Sequence, residues 1–243
     1  MTTANWPDAS FTRTFTAAAG TCPGGGVDKT VMAVFKPNAT GFSPINARLG
    51  TTLVWGFYLD SGQMFFGTSD FHGGPNRVAG EWLQAAARFT GSNHNVNWRY
   101  RTTTGGGAAW GTWSNIVDYS TGEGGTTIDN LFMGQTFGDL SNGLEAAAGV
   151  WNTKLSDSAI DALDVNIPSW RASAAVCYQF NGITSPPVAG NIVDITGNGA
   201  NGTNYSTASG DVLSSATDPP GIVYYTPGGN TPPSSAFFQF LGA

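Results

Sequence analysis

The strongest constraint on the fold is the alternation of short apolar runs with turn-forming residues. Leu53-Val54-Trp55-Gly56-Phe57-Tyr58-Leu59 and Gln63-Met64-Phe65-Phe66 flank Asp60-Ser61-Gly62. Two β-prone runs around an Asp/Ser/Gly turn specify an antiparallel hairpin. The pattern recurs. Thr30 to Phe35 ends at Lys36-Pro37, where proline cannot extend a ladder. Trp82 to Phe89 and Val96 to Thr103 form a second pair across Thr90 to Asn95, and 126–134 and 144–151 supply two more strands. Thirty-four Gly and thirteen Pro in 243 residues suit many short strands and many turns. With 40% apolar residues and fifteen Phe, eight Trp and seven Tyr, the chain can fill a sizeable aromatic core.

One segment breaks the β pattern. Val150 to Leu163 predicts a strand end, a cap and a short helix. Ser156 is the expected N-cap and Asp157 suits the positive end of the helix dipole. Leu155 and Ile160 are placed to form a hydrophobic staple. A helix this short needs a surface to pack on. Asp157, Asp161 and Asp164 are expected to form its solvated face. After Pro168 the texture changes. Ala174, Val176, Tyr178 and Phe180 alternate as a strand, and 186–236 is rich in Pro, Gly and Asn. The expected organisation is a β-sandwich over 1–170 and an extended, loop-rich arm with short strands over 171–243. Strand 174–180 is able to complete the sandwich.

The order of these elements resembles the concanavalin A-like lectin/glucanase superfamily in its LamG-type form, similar to laminin G and pentraxin domains. The resemblance rests on the Asp60-Ser61-Gly62 hairpin, Glu81-Trp82, Leu131-Phe132-Met133-Gly134, Gly143-Leu144-Glu145, and above all Trp151-Asn152 to Ile160. The last segment is similar to the family's "Y-N-R-A-L-S-D-A-E-I-x-x-L", with Ala159 where the family often has Glu. The implied fold is all-β: an antiparallel jelly-roll β-sandwich with one short helix and a C-terminal arm. Asp194 to Thr203 also resembles the "D-x-S/T-G-N-G-x-x-G-T" loop that usually opens such a domain, yet here it follows it. Either the chain is permuted or a piece of a second module is retained.

The chemistry the sequence offers is sparse. Glycoside hydrolysis needs two carboxylates flanking the scissile bond. Glu81, Glu123 and Glu145 lack the family's glucanase spacing, so no catalytic residue and no enzyme activity are expected. His72 and His94 lie in Gly/Asn-rich loops without a partner at metal or nucleophile-base spacing. No cofactor is expected. Calcium is the metal the resemblance implies, with Asp60, Asp139, Asp194 and Asn198 as conceivable oxygen ligands, but no metal site is assigned. Cys22 and Cys177 are open to pairing or to burial as free thiols. Trp98, Tyr100, Trp110 and Trp113 cluster around Gly105-Gly106-Gly107. They are the candidate glycan-binding residues, since aromatic rings stack on sugar faces.

A net charge of −6 without a basic run excludes a nucleic-acid footprint. No apolar run is long enough for a membrane span, and Met1 to Pro7 has no secretory-leader pattern. Lysine is confined to Lys29, Lys36 and Lys154, and the surface is left to Asn, Thr, Ser and Gly. Together with the resemblance, these features set the functional expectation: a non-catalytic structural protein on a phage virion surface, as a capsid decoration or a tail or fibre component. It is expected to be a homo-oligomer beside other virion proteins, with weak binding of cell-surface glycans. The alternatives are a free carbohydrate-binding lectin and, further off, a glycoside hydrolase.

Overall fold

The computed structural model describes residues 4–6, 15–37, 42–50, 52–60, 62–67, 71–92, 95–119, 127–133, 143–180, 193–205 and 218–227. In chain order the strands begin with β1 (Ala4–Trp6), β2 (Phe15–Ala18), β3 (Lys29–Pro37), β4 (Phe42–Leu49) and β5 (Thr52–Asp60). They continue with β6 (Gln63–Gly67), β7 (Phe71–Asn76), β8 (Leu83–Thr90), β9 (Asn95–Thr104) and β10 (Ala109–Trp110). The last are β11 (Ser114–Tyr119), β12 (Asn130–Met133), β13 (Gly143–Trp151), β14 (Val176–Gln179) and β15 (Gly202–Tyr205). Two helices, α1 (Asp157–Leu163) and α2 (Ile167–Ser173), lie between β13 and β14.

Every strand pairing is antiparallel. One sheet of eight strands runs β1-β13-β3-β8-β9-β10, with β14 also on β13 and β11 also on β9. The other, of seven strands, runs β15-β2-β12-β4-β5-β6-β7. The main core lies between them. Val31, Ala33 and Phe35 of β3 face Ile45, Trp55, Phe57 and Phe66 across it. The intervening Met32 and Val34 belong to a second cluster with Ile160, Leu163, Ile167 and Trp170. Thus β3 and β13 are buried on both faces, which is why they read as nearly unbroken apolar runs. The helices exist to cover the outer face of the first sheet.

The sequence predicts one helix; the described residues contain two. Ser156 caps α1 as expected, its hydroxyl accepting from the Ala159 N–H at 3.1 Å. Pro168, expected to mark a break, sits in the first turn of α2, where its missing N–H costs nothing. The boundary expected at 170/171 falls inside that helix. Beyond it, β14 pairs with β13, and Val176, Tyr178 and Phe180 are fully buried in the main core. β15 extends the second sheet beside β2. Residues 218–227 cross the helices as a strap, bonded through Ile167 N to Val223 O (2.9 Å) and Val223 N to Val165 O (3.0 Å). The expected strand at Ile222–Tyr225 is only an isolated bridge, Asn166 to Val223. The expected strand at Ala236–Leu241 lies outside the described residues. No helix among the described residues is long and apolar enough to cross a membrane.

Candidate functional site

Strand parity separates the four candidate aromatic residues. On β9, Trp98 and Tyr100 point inward while Arg99 and Arg101 point outward, because side chains alternate faces. Trp98 is fully buried and stacks on Phe57, with ring centroids 5.5 Å apart. Its other neighbour is Gly74 of β7, where a Cβ would lie 2.5 Å from the indole. Trp98 therefore belongs to the core and leaves the expected platform. Tyr100 is half-buried against the same core. Trp110 and Trp113 lie over the outer face, half-buried against the second cluster. Arg101 places its guanidinium 4.7 Å from the Trp110 ring and 4.5 Å from the Trp113 ring, and Arg99 lies 5.3 Å from Trp113. The Trp110 indole N–H donates to Pro220 O at 2.8 Å, so Trp110 is partly occupied in holding the strap.

The same arginines tie α1 to the sheet. Asp157, Asp161 and Asp164 recur at i, i+4 and i+7, one helical face. That face stays partly solvated, as expected, but it also meets Arg88, Arg99 and Arg101. Arg99 grips Asp161 with two bonds of 2.9 and 2.6 Å, Arg88 pairs with Asp157, and Arg101 pairs with Asp164. Asn115 donates to Asp157 at 3.1 Å and Arg101 to Gln84 at 2.8 Å. Desolvation pushes Asp157 up, but hydrogen bonds from Asn115 and Arg88 and the charges of Arg88 and Arg99 outweigh it, holding the carboxyl below its usual value. Burial pulls the Arg101 guanidinium down to about 10, still charged at neutral pH.

Beside Trp110, Gly105, Gly106 and Gly107 all take positive φ (67°, 74° and 97°), a backbone run suited to glycine. Glu81 holds this loop. It accepts from Thr103 Oγ1 at 2.6 Å and Gly106 N at 2.7 Å, and the Thr103 bond leads the causes that keep its carboxyl below the usual range. Glu81 is thus a structural clasp.

A cavity of about 550 Å³ opens where the strap meets β14, lined by Arg171, Gln179, Asp194, Ile195, Tyr225 and Thr226, among others. Asp194 is 2% exposed and accepts from Cys177 N, Thr196 N, Thr196 Oγ1 and Ala200 N. Asn198 donates to Ala175 O at 2.8 Å. Both are used in shaping this loop and holding it against the start of β14. Of the other conceivable calcium ligands, Asp60 is exposed and Asp139 lies outside the described residues. Among the described residues no group of three or more His, Cys, Asp or Glu could hold a metal. Cys22 and Cys177 are free thiols, raised above their ordinary value by burial first and by Asp194 second. Glu123, His94 and the His72 side chain lie outside the described residues.

The sequence matches no protein-family model and no curated protein. Solved structures do match. A putative carbohydrate binding protein from Bacteroides ovatus aligns at 13% identity, covering 89% of this chain and 63% of that one, with a TM-score of 0.52. The fold is the concanavalin A-like jelly roll. A heptameric SAP-like pentraxin from Limulus polyphemus aligns at 15% identity over 86% of this chain and 93% of that one, TM-score 0.48. Domains LG4-5 of the mouse laminin alpha1 chain align at 12% identity over 60% and 42%, TM-score 0.38.

Within this jelly roll the Asp194–Thr203 loop belongs to the main domain. Tyr178 bridges to Asp194, its hydroxyl donates to Ala200 O at 2.7 Å, and β15 lies on β2. The piece that resembles a domain-opening loop is packed here against β14, and β15 after it pairs with β2. The sequence reading missed Arg99, Arg101 and Arg171. The signal for the first two was present: charges on alternate positions of one strand, opposite aspartates at helical spacing.

Proposed function

We propose that the chain is a non-catalytic carbohydrate-binding jelly-roll module, with Trp113 as its principal contact. The observation that carries this reading is the setting of Trp113. The indole is half-exposed on the outer rim, two guanidinium groups fix it, and Asn115 and Asp161 lie on the same network. A pyranose presents an apolar C–H face, which suits an indole, and hydroxyls, which suit amides, carboxylates and guanidinium N–H groups. Fixing the aromatic ring beforehand lowers the entropy that binding must overcome. Glu81, engaged with its loop, is poorly placed to act as an acid or base, which supports the non-catalytic reading.

Display of the module on a phage virion surface is part of the proposal, supported by the lysine-poor, Gly/Asn/Thr-rich composition. Binding to a panel of neutral glycans, compared between the wild type and Trp113→Ala, tests the first part. Retained binding in Trp113→Ala would reject Trp113 as the contact. Immunogold labelling of particles tests the second; absence of label would leave a free lectin.

A further inference from the structure

We propose that the cavity at Arg171 is a second binding site and that it takes the carboxylate of an acidic sugar. The inference rests on the carbohydrate reading for the sugar class, and on the Arg171 guanidinium for the preference for a carboxylate.

The cavity joins three segments distant in sequence: the last turn of α2, the Asp194 loop and the strap. Arg171 is held rigidly. Its Nε donates to Ile195 O at 2.6 Å, and its guanidinium lies 4.5 Å from the Tyr225 ring centroid. The strap is fixed against β14 by two amide bonds, Gln179 Nε2 to Tyr225 O (2.7 Å) and Tyr225 N to Gln179 Oε1 (2.8 Å). The Gln179 amide is therefore held in place by the strap, while the Arg171 η nitrogens have no hydrogen-bond partner among the described residues. A guanidinium oriented by stacking and one Nε bond presents a planar pair of donors, the geometry that matches a carboxylate.

The rest of the lining narrows the class. Val193, Ile195 and Pro227 give apolar walls and Thr226 a hydroxyl, the mixture expected for an amphipathic ring rather than a bare ion. Phosphate fits poorly. Phosphate sites gather several backbone N–H groups, and here the N–H groups of Cys177, Thr196 and Ala200 are directed at Asp194. That leaves no anion nest and one cation, Arg171, beside the Asp194 carboxylate, which is 2% exposed and covered by its own hydrogen bonds. A volume of about 550 Å³ suits one or two sugar rings.

The test is an NMR titration of the whole chain with sodium glucuronate, glucose and inorganic phosphate, up to roughly 20 mM, where a Kd near 1 mM is saturated. Glucuronate is expected to shift Arg171 Nε–H and the amides of Ile195, Gln179 and Tyr225 saturably. Glucose and phosphate should bind at least about tenfold more weakly, the scale of one charge-assisted hydrogen bond. Arg171→Gln should abolish the glucuronate response and leave the Trp113 indole signal in place. If that variant fails to fold, the wild-type shift map decides alone. No response at Arg171, equal responses to glucose or phosphate, or shifts confined to Trp113 would overturn the proposal. The last result would leave the Trp113 reading standing. Shifts at Arg171 with no neutral glycan bound at Trp113 would support this site and reject the other.

Discussion

Asp194 lies where two readings of one motif diverge: a ligand for calcium, or a clasp that closes its own loop. Substitution separates them. Asp194→Ala removes the acceptor of three backbone N–H groups, at 3.1 Å from Cys177 and Thr196 and 3.4 Å from Ala200. Cys177 and Ala200 are fully buried, so their N–H groups have no water to turn to. A buried donor left unpaired costs about 1–3 kcal/mol. With the single hydroxyl bond of Thr196, shared between the two carboxylate oxygens at 2.7 and 2.8 Å, also lost, the expected destabilisation is about 3–5 kcal/mol. Asp194→Asn should cost less, since one oxygen still accepts while the new NH2 opposes Ala200 N–H. Urea unfolding followed by tryptophan fluorescence and far-UV circular dichroism measures both, provided the m-value is unchanged. The calcium reading predicts something different: millimolar calcium would raise the wild-type midpoint by mass action and leave Asp194→Ala unmoved. That pattern, or an alanine effect below about 0.5 kcal/mol, would refute the clasp.

Three further outcomes follow from the packing. Gly74→Ala brings a Cβ within 2.5 Å of the Trp98 indole; overpacking should cost about 2 kcal/mol or more, and the cost should shrink in a Trp98→Phe background, as a double-mutant cycle would show. A chain ending at Ser173 loses Val176, Tyr178 and Phe180, all fully buried. At about 1.5–3 kcal/mol each, that rivals a whole domain's stability; circular dichroism should show no cooperative melt, and a native-like one would detach this region from the fold. Asp157 is held below its ordinary value of 3.8, so its stabilising effect is present above that pH and is lost as pH falls through the lower folded value. The stability gap between wild type and Asp157→Asn should therefore narrow between pH 6 and pH 2.5, and a constant gap would contradict the ion-pair assignment.

What was legible in the sequence was local. The β5–β6 hairpin declares itself because its turn residues lie between its strands, and α1 because Ser156, Leu155 and Ile160 sit within one turn of each other. What was not legible was pairing at a distance. The strand at 174–180 was legible and able to complete the sandwich, but nothing near Val176 announces that β13, some thirty residues earlier, is its partner. α2 is hidden for a related reason. Its apolar face is only Ile167 and Trp170, its N-cap Asn166 makes no side-chain bond, and its stability comes from the sheet and strap that enclose it.

The candidate site shows a subtler limit. The alternation Val96, Trp98, Tyr100 against Asn97, Arg99, Arg101 was fully visible, and parity alone puts Trp98 and Arg99 on opposite faces. Closeness in sequence made one patch of four aromatic residues that the strand divides between two surfaces. The arginines explain why the division matters. Arg99 and Arg101 need acceptors on the outer face and find them on α1, so the helix that marks the fold also neutralises and positions the cations beneath Trp113. A change that loosens α1, such as Asp161→Ala, therefore frees Arg99 from its two-bond grip and lets the indole above it move. Glycan affinity should fall through a residue that need not touch the sugar, and Asp161→Glu, which keeps the charge, should recover part of it.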